Sequence, residues 1–195
     1  MKEGICFFDF DGTLTCKDTL ADFAIYALGK KKFYLAVFKS LPYIAVWKTG
    51  LISSSKAKEI LFGHLFKGIP FSTFQSLGES YAERIDEITR PDVIEILQNH
   101  LCSRHKAVIV SASISDWLRP WAVRHGFERV IATEAQIDDY GQLTGRFATP
   151  NCVKQEKVRR ILAHYPDVKE YESWAYGDSG SDRPMLALVN HGFKV

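Results

Sequence analysis

FFDFDGTLT, residues 7–15, is the stretch from which the fold of this chain is best read. It continues an apolar run, residues 5–8, that is short and aromatic enough to be a buried β-strand. Asp9 and Asp11 follow two positions apart, so their side chains are predicted to leave the end of the strand on the same side. Gly12 then permits a tight turn beside them. The stretch predicts a strand that brings two carboxylates together, with an ordinary Asp-Gly turn as the alternative.

Two neighbouring carboxylates repel each other and shift each other's pKa unless a cation lies between them. A hard divalent cation such as Mg²⁺ removes this conflict, and it prefers oxygen ligands. One carboxylate is then free to attack an electrophile while the other handles a proton. The pair therefore indicates a magnesium site with nucleophilic and acid–base chemistry.

The composition is that of an ordinary soluble globular protein. The chain has 195 residues, of which 46% are hydrophobic and 25% charged. This length suits one domain with a small insertion. The net charge of +2 points to no particular partner, and no nucleic-acid partner is predicted. The four cysteines have no paired spacing, which predicts reduced thiols in a cytoplasmic protein.

Neither a signal peptide nor a membrane span is predicted. The first residues lack the long apolar stretch of a signal peptide. The most apolar segment runs from Phe33 to Trp47, and Lys39 and Pro42 interrupt it. It is shorter than the roughly 20 apolar residues that a spanning helix needs.

After the first motif, helical periodicity dominates the chain up to about residue 100, and no strand-like run interrupts it. Asp18 or Thr19 is predicted to cap a first helix, which Gly29 and the lysines at 30–32 end. Further helices are predicted from Phe33 to a stop or kink near Pro42, from Ser53–Ser55 through Leu65, from a Ser72 cap through Ile85, and from Pro91.

Strands and helices then alternate. Strands are predicted at Ala107–Val110, Val130–Ala132 and Ser173–Tyr176, a hairpin within Gln136–Phe147, helices at Trp117–His125, Val153–His164 and Pro184–Val189, and a last strand from Phe193. This alternation indicates a parallel sheet covered by helices on both faces. Asp9, Ser111 and Asp178 each follow a predicted strand, so they are expected to meet at one edge of the sheet.

Two further polar stretches fit phosphate chemistry. Ser111 lies where a strand is predicted to give way to a helix, a position suited to binding a phosphate oxygen. Lys157, early in an amphipathic helix, is placed to neutralise a phosphoryl group, with Lys154 and Arg159 as competitors. An ordinary turn serine and a solvated lysine are the alternatives.

A second pair of carboxylates follows the strand that ends near Tyr176. Asp178 and Asp182 flank a turn rich in glycine and serine. Opposite the first pair, they suit an octahedral Mg²⁺ that keeps some of its waters. The alternative is a polar turn in which Asp182 caps the next helix.

Taken together, these stretches resemble the four motifs of the haloacid dehalogenase superfamily: residues 9–13, residues 108–113, Lys157 and residues 177–182. The form of the motifs is similar to the phosphoserine-phosphatase-like branch, subfamily IB. The resemblance implies a Rossmann-like three-layer α/β/α core with a parallel sheet. It also implies a small helical cap inserted after the first strand, with the core at residues 1–15 and 88–195 and the cap at residues 16–87.

The resemblance also implies roles for individual residues. Asp9 would be the nucleophile that forms an aspartyl-phosphate, and Asp11 would protonate the leaving oxygen and then activate water. Mg²⁺ would be held by Asp9, the backbone carbonyl of Asp11 and Asp178, with Asp182 in support. The transferring phosphoryl group would be bound by Gly12, Ser111, Ala112 and Lys157.

An aspartate at position 11 favours a phosphatase, because dehalogenases of the superfamily lack it and its ion pumps carry threonine there. The expected activity is Mg²⁺-dependent hydrolysis of a small phosphorylated metabolite. The cap signature of phosphoserine phosphatases is absent, so phosphoserine is not assumed to be the substrate. A phosphotransferase or mutase, and a non-catalytic module that binds magnesium and phosphate, remain as alternatives.

The cap region is rich in aromatic residues and lysines. The aromatic side chains are predicted to form the core between the cap helices, with a pocket for an apolar or amphipathic phosphoester as the alternative. The lysines at 30–32, 39 and 48 are predicted to lie on a solvated face, with an anionic ligand or a lipid surface as the alternative.

Overall fold

The computed structural model describes residues 4–195, so the first three residues of the predicted core lie outside the described residues. The elements in chain order are β1 (Gly4–Phe8), α1 (Thr19–Leu28), α2 (Lys30–Lys48), α3 (Ser54–Phe66), α4 (Phe71–Asp86), α5 (Pro91–Cys102), β2 (Lys106–Ile114), α6 (Ser115–Arg124), β3 (Arg129–Thr133), β4 (Ala135–Ile137), β5 (Leu143–Phe147), α7 (Gln155–His164), a 3₁₀ turn (Val168–Glu170), β6 (Glu172–Gly177), α8 (Arg183–Leu186) and β7 (His191–Lys194).

A parallel sheet of five strands forms the centre of the fold, in the order β3-β2-β1-β6-β7. At the end of β1, Phe8 pairs with Ile109 of β2 on one side and Tyr176 of β6 on the other. The chain moves outward from β1 to β3 and later returns on the opposite side of β1. Such a reversal of strand order opens a crevice at the carboxyl ends of the strands.

Helices cover both faces of this sheet, which confirms the predicted three-layer arrangement. Side chains of β1 alternate between the faces, as a strand requires. Ile5 and Phe7 pack with side chains of α7 and α8, whereas Cys6 and Phe8 pack with side chains of α5 and α6. Because both faces of β1 are buried, its sequence is apolar without interruption.

Helices α1 to α4 form the predicted helical segment between β1 and the rest of the core. Asp18 caps α1 by accepting a hydrogen bond from the backbone N–H of Ala21 at 3.1 Å. Ser53 caps α3 through the N–H of Lys56, also at 3.1 Å. Both caps agree with the sequence-based expectation, while the exact bounds of the cap, residues 16–87, stay a prediction.

A stop of the second helix near Pro42 is wrong, since α2 continues to Lys48, whereas the alternative of a kink there stays a prediction. A proline removes one backbone donor, which leaves the carbonyl of Phe38 without its helical partner. Both Pro42 and Phe38 lie on the exposed side of α2, where water can bind that carbonyl. The lysines at 30–32 open α2, and Gly29 alone, with φ of +82°, separates it from α1.

Two predicted serine positions also need correction. The helix predicted to start from a Ser72 cap begins at Phe71, and Pro70 precedes it without a side-chain cap. Ser111 does not lie at a strand-to-helix junction but inside β2, where it pairs with Ala132 of β3. The strand extends because its pairing with β3 continues to Ile114.

Cysteines and helices in residues 4–195 agree with two further predictions. All four cysteines are free thiols, with Cys6 and Cys152 buried and Cys16 and Cys102 exposed. Within this described range, no helix is both long enough and apolar enough to cross a membrane.

The aromatic residues of the cap divide into two groups. Phe23 is fully buried, and its ring centroid lies 4.7 Å from that of Trp117, 5.1 Å from Tyr81 and 5.5 Å from Phe74. It joins α1 to α4 and to α6 of the core. The prediction that the aromatic residues form the core is confirmed for Phe23. It is wrong for five others, whose exposed fractions range from 42% to 69%: Tyr26, Tyr34, Phe38, Tyr43 and Trp47.

We expect Phe23→Ala to lower the free energy of unfolding by about 3–5 kcal/mol, because it removes a buried ring from this aromatic cluster. Tyr140→Ala, at an exposed position, should change it by less than about 0.5 kcal/mol. Urea denaturation of both variants would measure the difference. Equal, small effects would show that the Phe23 cluster does not hold the cap to the core.

Candidate active site

The predicted meeting of polar residues at one edge of the sheet is found in the structure. Asp9 follows β1 directly, and its backbone N–H donates to the carbonyl of Tyr176 at 2.9 Å. Ser111 lies in the last half of β2, and Asp178 comes immediately after β6. Because β1 lies between β2 and β6, these residues share the carboxyl edge of three adjacent strands.

Lys157 is the lysine that reaches this edge. Its side chain is only 1% exposed, and its Nζ donates to Asp9 Oδ1 at 2.7 Å and to Asp182 Oδ1 at 2.6 Å. Burial alone would lower the pKa of Lys157, but the two carboxylates outweigh burial and raise it. The competitors Lys154 and Arg159 have exposed side chains. The alternative of a solvated lysine at position 157 is therefore wrong.

Three carboxylates form a cluster around Lys157. Oxygens of Asp9, Asp178 and Asp182 lie within 4.8 Å of one another. Asp182 is fully engaged, because its Oδ2 accepts from the backbone N–H and the hydroxyl of Ser179 at 3.0 and 2.7 Å. Asp178 Oδ1, in contrast, is buried and has no hydrogen-bond partner.

These residues fit a magnesium ion. Three carboxylates and a single lysine leave negative charge uncompensated, and the donors are the hard oxygens that Mg²⁺ prefers. The unpartnered Asp178 Oδ1 is a buried polar atom that a cation would satisfy. Asp182 already binds Lys157 and Ser179, which agrees with the expectation that it supports the magnesium site. The side chain of Asp11 lies outside this carboxylate cluster.

Gly12 makes the close approach of Asp178 possible. Its φ is +82°, a conformation that favours glycine, and a Cβ built on it would lie 2.6 Å from Asp178 Oδ2. Arg90 holds the same turn by donating to the carbonyl of Gly12 at 3.1 Å. Arg90 was missed in the sequence, because it lies 78 residues from Gly12 without a motif of its own.

Burial raises the pKa of Asp9 to about 7. Lys157 acts in the opposite direction, and the charges of Asp182 and Asp11 add to the rise. A divalent cation beside the carboxylate would lower this pKa and keep Asp9 ionised at neutral pH.

Asp11 has different surroundings, between the cap and the core. Its Oδ1 accepts from the backbone N–H and the hydroxyl of Thr19, at 2.8 and 2.6 Å, and its Oδ2 accepts from the hydroxyl of Ser113. Trp117 Nε1 donates in turn to the Thr19 hydroxyl at 3.2 Å. Burial, followed by the charge of Asp18, raises the pKa of Asp11, although Lys58 and the hydrogen bonds oppose the rise.

The sequence did not identify Thr19 or Ser113 as a partner of Asp11. Both residues stand just before predicted helices, where they suit helix caps. One signal for Ser113 is available, since it lies two positions after Ser111 and so shares its side of an extended strand. No comparable signal links Thr19 to Asp11. Ile114 precedes α6 without a side-chain cap, which leaves the Ser113 hydroxyl for Asp11.

The second motif is held by buried contacts. Ser111 is buried, and its hydroxyl accepts from the backbone N–H of Ser113 at 3.0 Å. The carbonyl of Ala112 accepts from Lys58 Nζ at 3.2 Å and from the Thr133 hydroxyl at 3.0 Å. Lys58 of α3 was not selected from the sequence, yet it brings a positive charge from the cap to this motif.

A cavity of about 290 Å³ lies among α1, α2 and α3. Its wall is mostly apolar and includes Leu20, Phe33, Ile44, Trp47, Ala57 and Leu61. Asp18 and Lys58 are the charged residues of its lining. Asp18 directly precedes Thr19, which donates to Asp11, and Lys58 donates to the carbonyl next to Ser113, the other partner of Asp11. The polar end of the cavity is therefore close to that carboxyl group.

Comparisons with known proteins agree with this geometry. The family model described as haloacid dehalogenase-like hydrolase matches residues 6–187. Protein CicA of Caulobacter vibrioides is 29% identical over 195 residues, covering 96% of this chain and 84% of CicA. A Bordetella pertussis Tohama I protein of unknown function has a TM-score of 0.79 at 23% identity, covering 97% of this chain and 88% of that one.

A phosphoserine phosphatase solved as a phospho-aspartyl intermediate analogue has a TM-score of 0.64 at 18% identity, covering 100% of this chain and 86% of that one. At these identities the structural likenesses establish the fold. The family match spans residues 6–187 and therefore contains all four motifs and the whole acidic cluster. The chain belongs to the haloacid dehalogenase-like hydrolase family.

Proposed function

We propose that this protein is a magnesium-dependent phosphatase that hydrolyses a small phosphomonoester through an aspartyl-phosphate on Asp9. The observation that carries the proposal is the division between two carboxylates only two residues apart. Asp9 lies with Lys157 in the acidic cluster, whereas Asp11 is held by Thr19 and Ser113 at the cap. A cation in the acidic cluster would keep Asp9 ionised as the nucleophile, whereas Asp11, held by hydrogen bonds outside that cluster, is left to carry the proton.

In the first step, a carboxylate oxygen of Asp9 attacks phosphorus opposite the ester oxygen. The Asp9–phosphorus bond forms as the ester bond breaks, and the proton of Asp11 goes to the leaving oxygen. Lys157 neutralises charge on the transferring group, and we assign Ser111, Ala112 and Gly12 to bind its oxygens. When bound by Asp9, the Asp11 carbonyl and Asp178, Mg²⁺ supplies further charge neutralisation.

In the second step, Asp11, now a carboxylate, takes a proton from water. The water oxygen attacks phosphorus, the bond to Asp9 breaks, and inorganic phosphate leaves. Asp9 returns as a carboxylate and Asp11 as a carboxylic acid, so the cycle closes. A phosphoserine phosphatase of the same fold has been solved as a phospho-aspartyl intermediate analogue, which supports this chemistry.

We expect Asp9→Asn to lower Mg²⁺-dependent phosphate release by at least about 10³-fold, because the amide is a poor nucleophile. The matched control is Asp139→Asn in the exposed hairpin turn, which should leave the rate unchanged. Release of inorganic phosphate from a panel of phosphomonoesters would measure both. An Asp9→Asn variant within tenfold of the wild type would contradict the covalent mechanism, and transfer to added alcohols instead of water would identify a phosphotransferase.

The pH dependence should reveal Asp11 as the acid. Its pKa is raised, so the proton persists to higher pH than on an ordinary aspartate, and kcat/KM should fall as pH rises through that pKa. Asp11→Asn should remove this limb and lower kcat/KM by about 10²–10⁴-fold for alkyl phosphates. The loss should be smaller for p-nitrophenyl phosphate, whose leaving group needs no proton. An equal loss on both substrates would argue against proton donation.

Magnesium should bind through Asp178. Chelation of divalent cations should abolish turnover, and added Mg²⁺ should restore it and raise the melting temperature, as a ligand of the native state does. In Asp178→Asn the midpoint of the thermal shift should move to Mg²⁺ concentrations at least about tenfold higher, because one charged ligand is lost. An unchanged midpoint relative to Asp139→Asn would place the cation elsewhere.

A further inference from the structure

Helix α2 exposes an apolar face that no described residue covers. Tyr34, Leu35, Phe38 and Leu41 are 63%, 53%, 69% and 49% exposed. Their spacing of three and four residues places them together on one side of the helix. Only Ala36 and Ser40 of α2 are buried. A continuous exposed apolar face of this kind marks a surface that meets another molecule or a membrane.

The charge of α2 narrows the choice of that partner. The helix carries five lysines, at 30, 31, 32, 39 and 48, and no acidic residue. Apolar side chains bordered by lysines suit an anionic lipid surface, where the apolar groups enter the headgroup region and the lysines meet the phosphates. A second copy fits poorly, because facing α2 helices would bring two sets of lysines together.

The length of α2 places it along such a surface rather than through it. Its 19 residues rise about 1.5 Å each, close to the hydrocarbon thickness of a bilayer, but lysines occupy both ends and position 39. A helix with charges at these positions lies in the plane of the interface.

The opposite side of α2 lines the cavity near Asp11. Phe33, Ile44 and Trp47 come from this inner side. Lys58 and Asp18 mark the end close to the Asp11 carboxyl group, through the contacts of Lys58 with Ala112 and of Thr19 with Asp11. The same helix therefore separates an exposed apolar face from an apolar cavity beside the reacting groups. A molecule with a phosphate head and an apolar body would place its phosphate at the charged end of this cavity and its apolar body against the apolar walls.

We propose that α2 is an interfacial helix that rests on an anionic lipid surface, and that the cavity behind it receives the apolar part of a phosphomonoester from that surface. The first half is independent of enzymatic activity. The second half rests on the proposed phosphatase function and specifies its substrate class as amphiphilic.

Vesicle flotation tests the first half. The wild type should float with equimolar phosphatidylcholine and phosphatidylglycerol, but not with phosphatidylcholine alone. The double variant Leu35→Ser/Phe38→Ser should bind at least about tenfold more weakly. The matched control is Val123→Ser/Tyr140→Ser, which alters side chains that are 75% and 90% exposed elsewhere and should bind like the wild type. Lys31→Gln should weaken binding to the anionic vesicles about fivefold at low salt.

Two results would overturn this half. One is binding that ignores lipid charge and is equal in the two double variants. The other is absence of flotation for the wild type. Sedimentation velocity without lipid tests the remaining explanation, a contact between two copies of the chain. That explanation would hold if the wild type does not bind vesicles but forms a dimer, and if Leu35→Ser/Phe38→Ser dissociates the dimer.

The cavity is tested with n-alkyl phosphates of increasing chain length. The wild-type kcat/KM should rise with chain length, and Ile44→Ser should lower kcat/KM for the longest ester by a larger factor than for the shortest one. A wild type that hydrolyses all chain lengths equally would overturn the amphiphilic substrate but leave the phosphatase intact. Hydrolysis of no phosphomonoester would overturn the phosphatase, whereas the vesicle result would stand on its own.

Discussion

The buried ammonium group of Lys157, between Asp9 and Asp182, is the interaction on which the site depends. Removing either sign of charge would leave the other buried and uncompensated, which is strongly unfavourable. The end of β1, the first turn of α7 and the loop after β6 must therefore come together as a unit. The parallel sheet makes this possible, since β1 and β6 are neighbours and α7 packs on the face they share. A buried cluster of this kind contributes little net stability, so its value lies in the charges that it positions.

Two carboxylates of one short stretch are divided between the two parts of the molecule. Asp9 faces the core cluster, whereas Asp11 is tied to Thr19 at the start of α1 and to Ser113 of β2. Phe10, which stands between them in the sequence, has a fully buried ring that packs against Trp121 at a centroid distance of 5.3 Å. Because one hydrogen-bonding partner of Asp11 belongs to the cap, the position of α1 fixes the orientation of that carboxyl group. The cap thus takes part in positioning the Asp11 carboxyl group as well as in enclosing the cavity.

The sheet and its polar edge could be predicted because their signals are local. The apolar run before Asp9 and the polar residues after β1 and β6 are visible within ten residues of sequence. The partners of Asp11 were missed for two reasons. Ser113 lies 102 residues from Asp11, and Thr19, although only eight residues away, is itself bonded by Trp117, which lies 98 residues further along the chain. Lys58 was missed because it, too, lies far from its partner in the sequence. Ser111 was predicted to follow the strand, but it lies inside β2. Pairing with β3, rather than local propensity, prolongs β2 to Ile114.

Helix α2 differs from the expectation for a more general physical reason. Aromatic side chains are more often buried than exposed, which is why those of α2 were expected in the core. In the structure, α1 and α3 cover only the inner side. Exposing the outer apolar side to water is unfavourable. The surrounding lysines do not remove this free-energy cost, but they favour contact of the helix with an anionic surface. The inner residues Phe33, Ile44 and Trp47 line the cavity that ends near Asp11. On a lipid surface, one helix would therefore cover its own apolar face and bring the entrance of the site to the place where an amphiphilic phosphoester is concentrated.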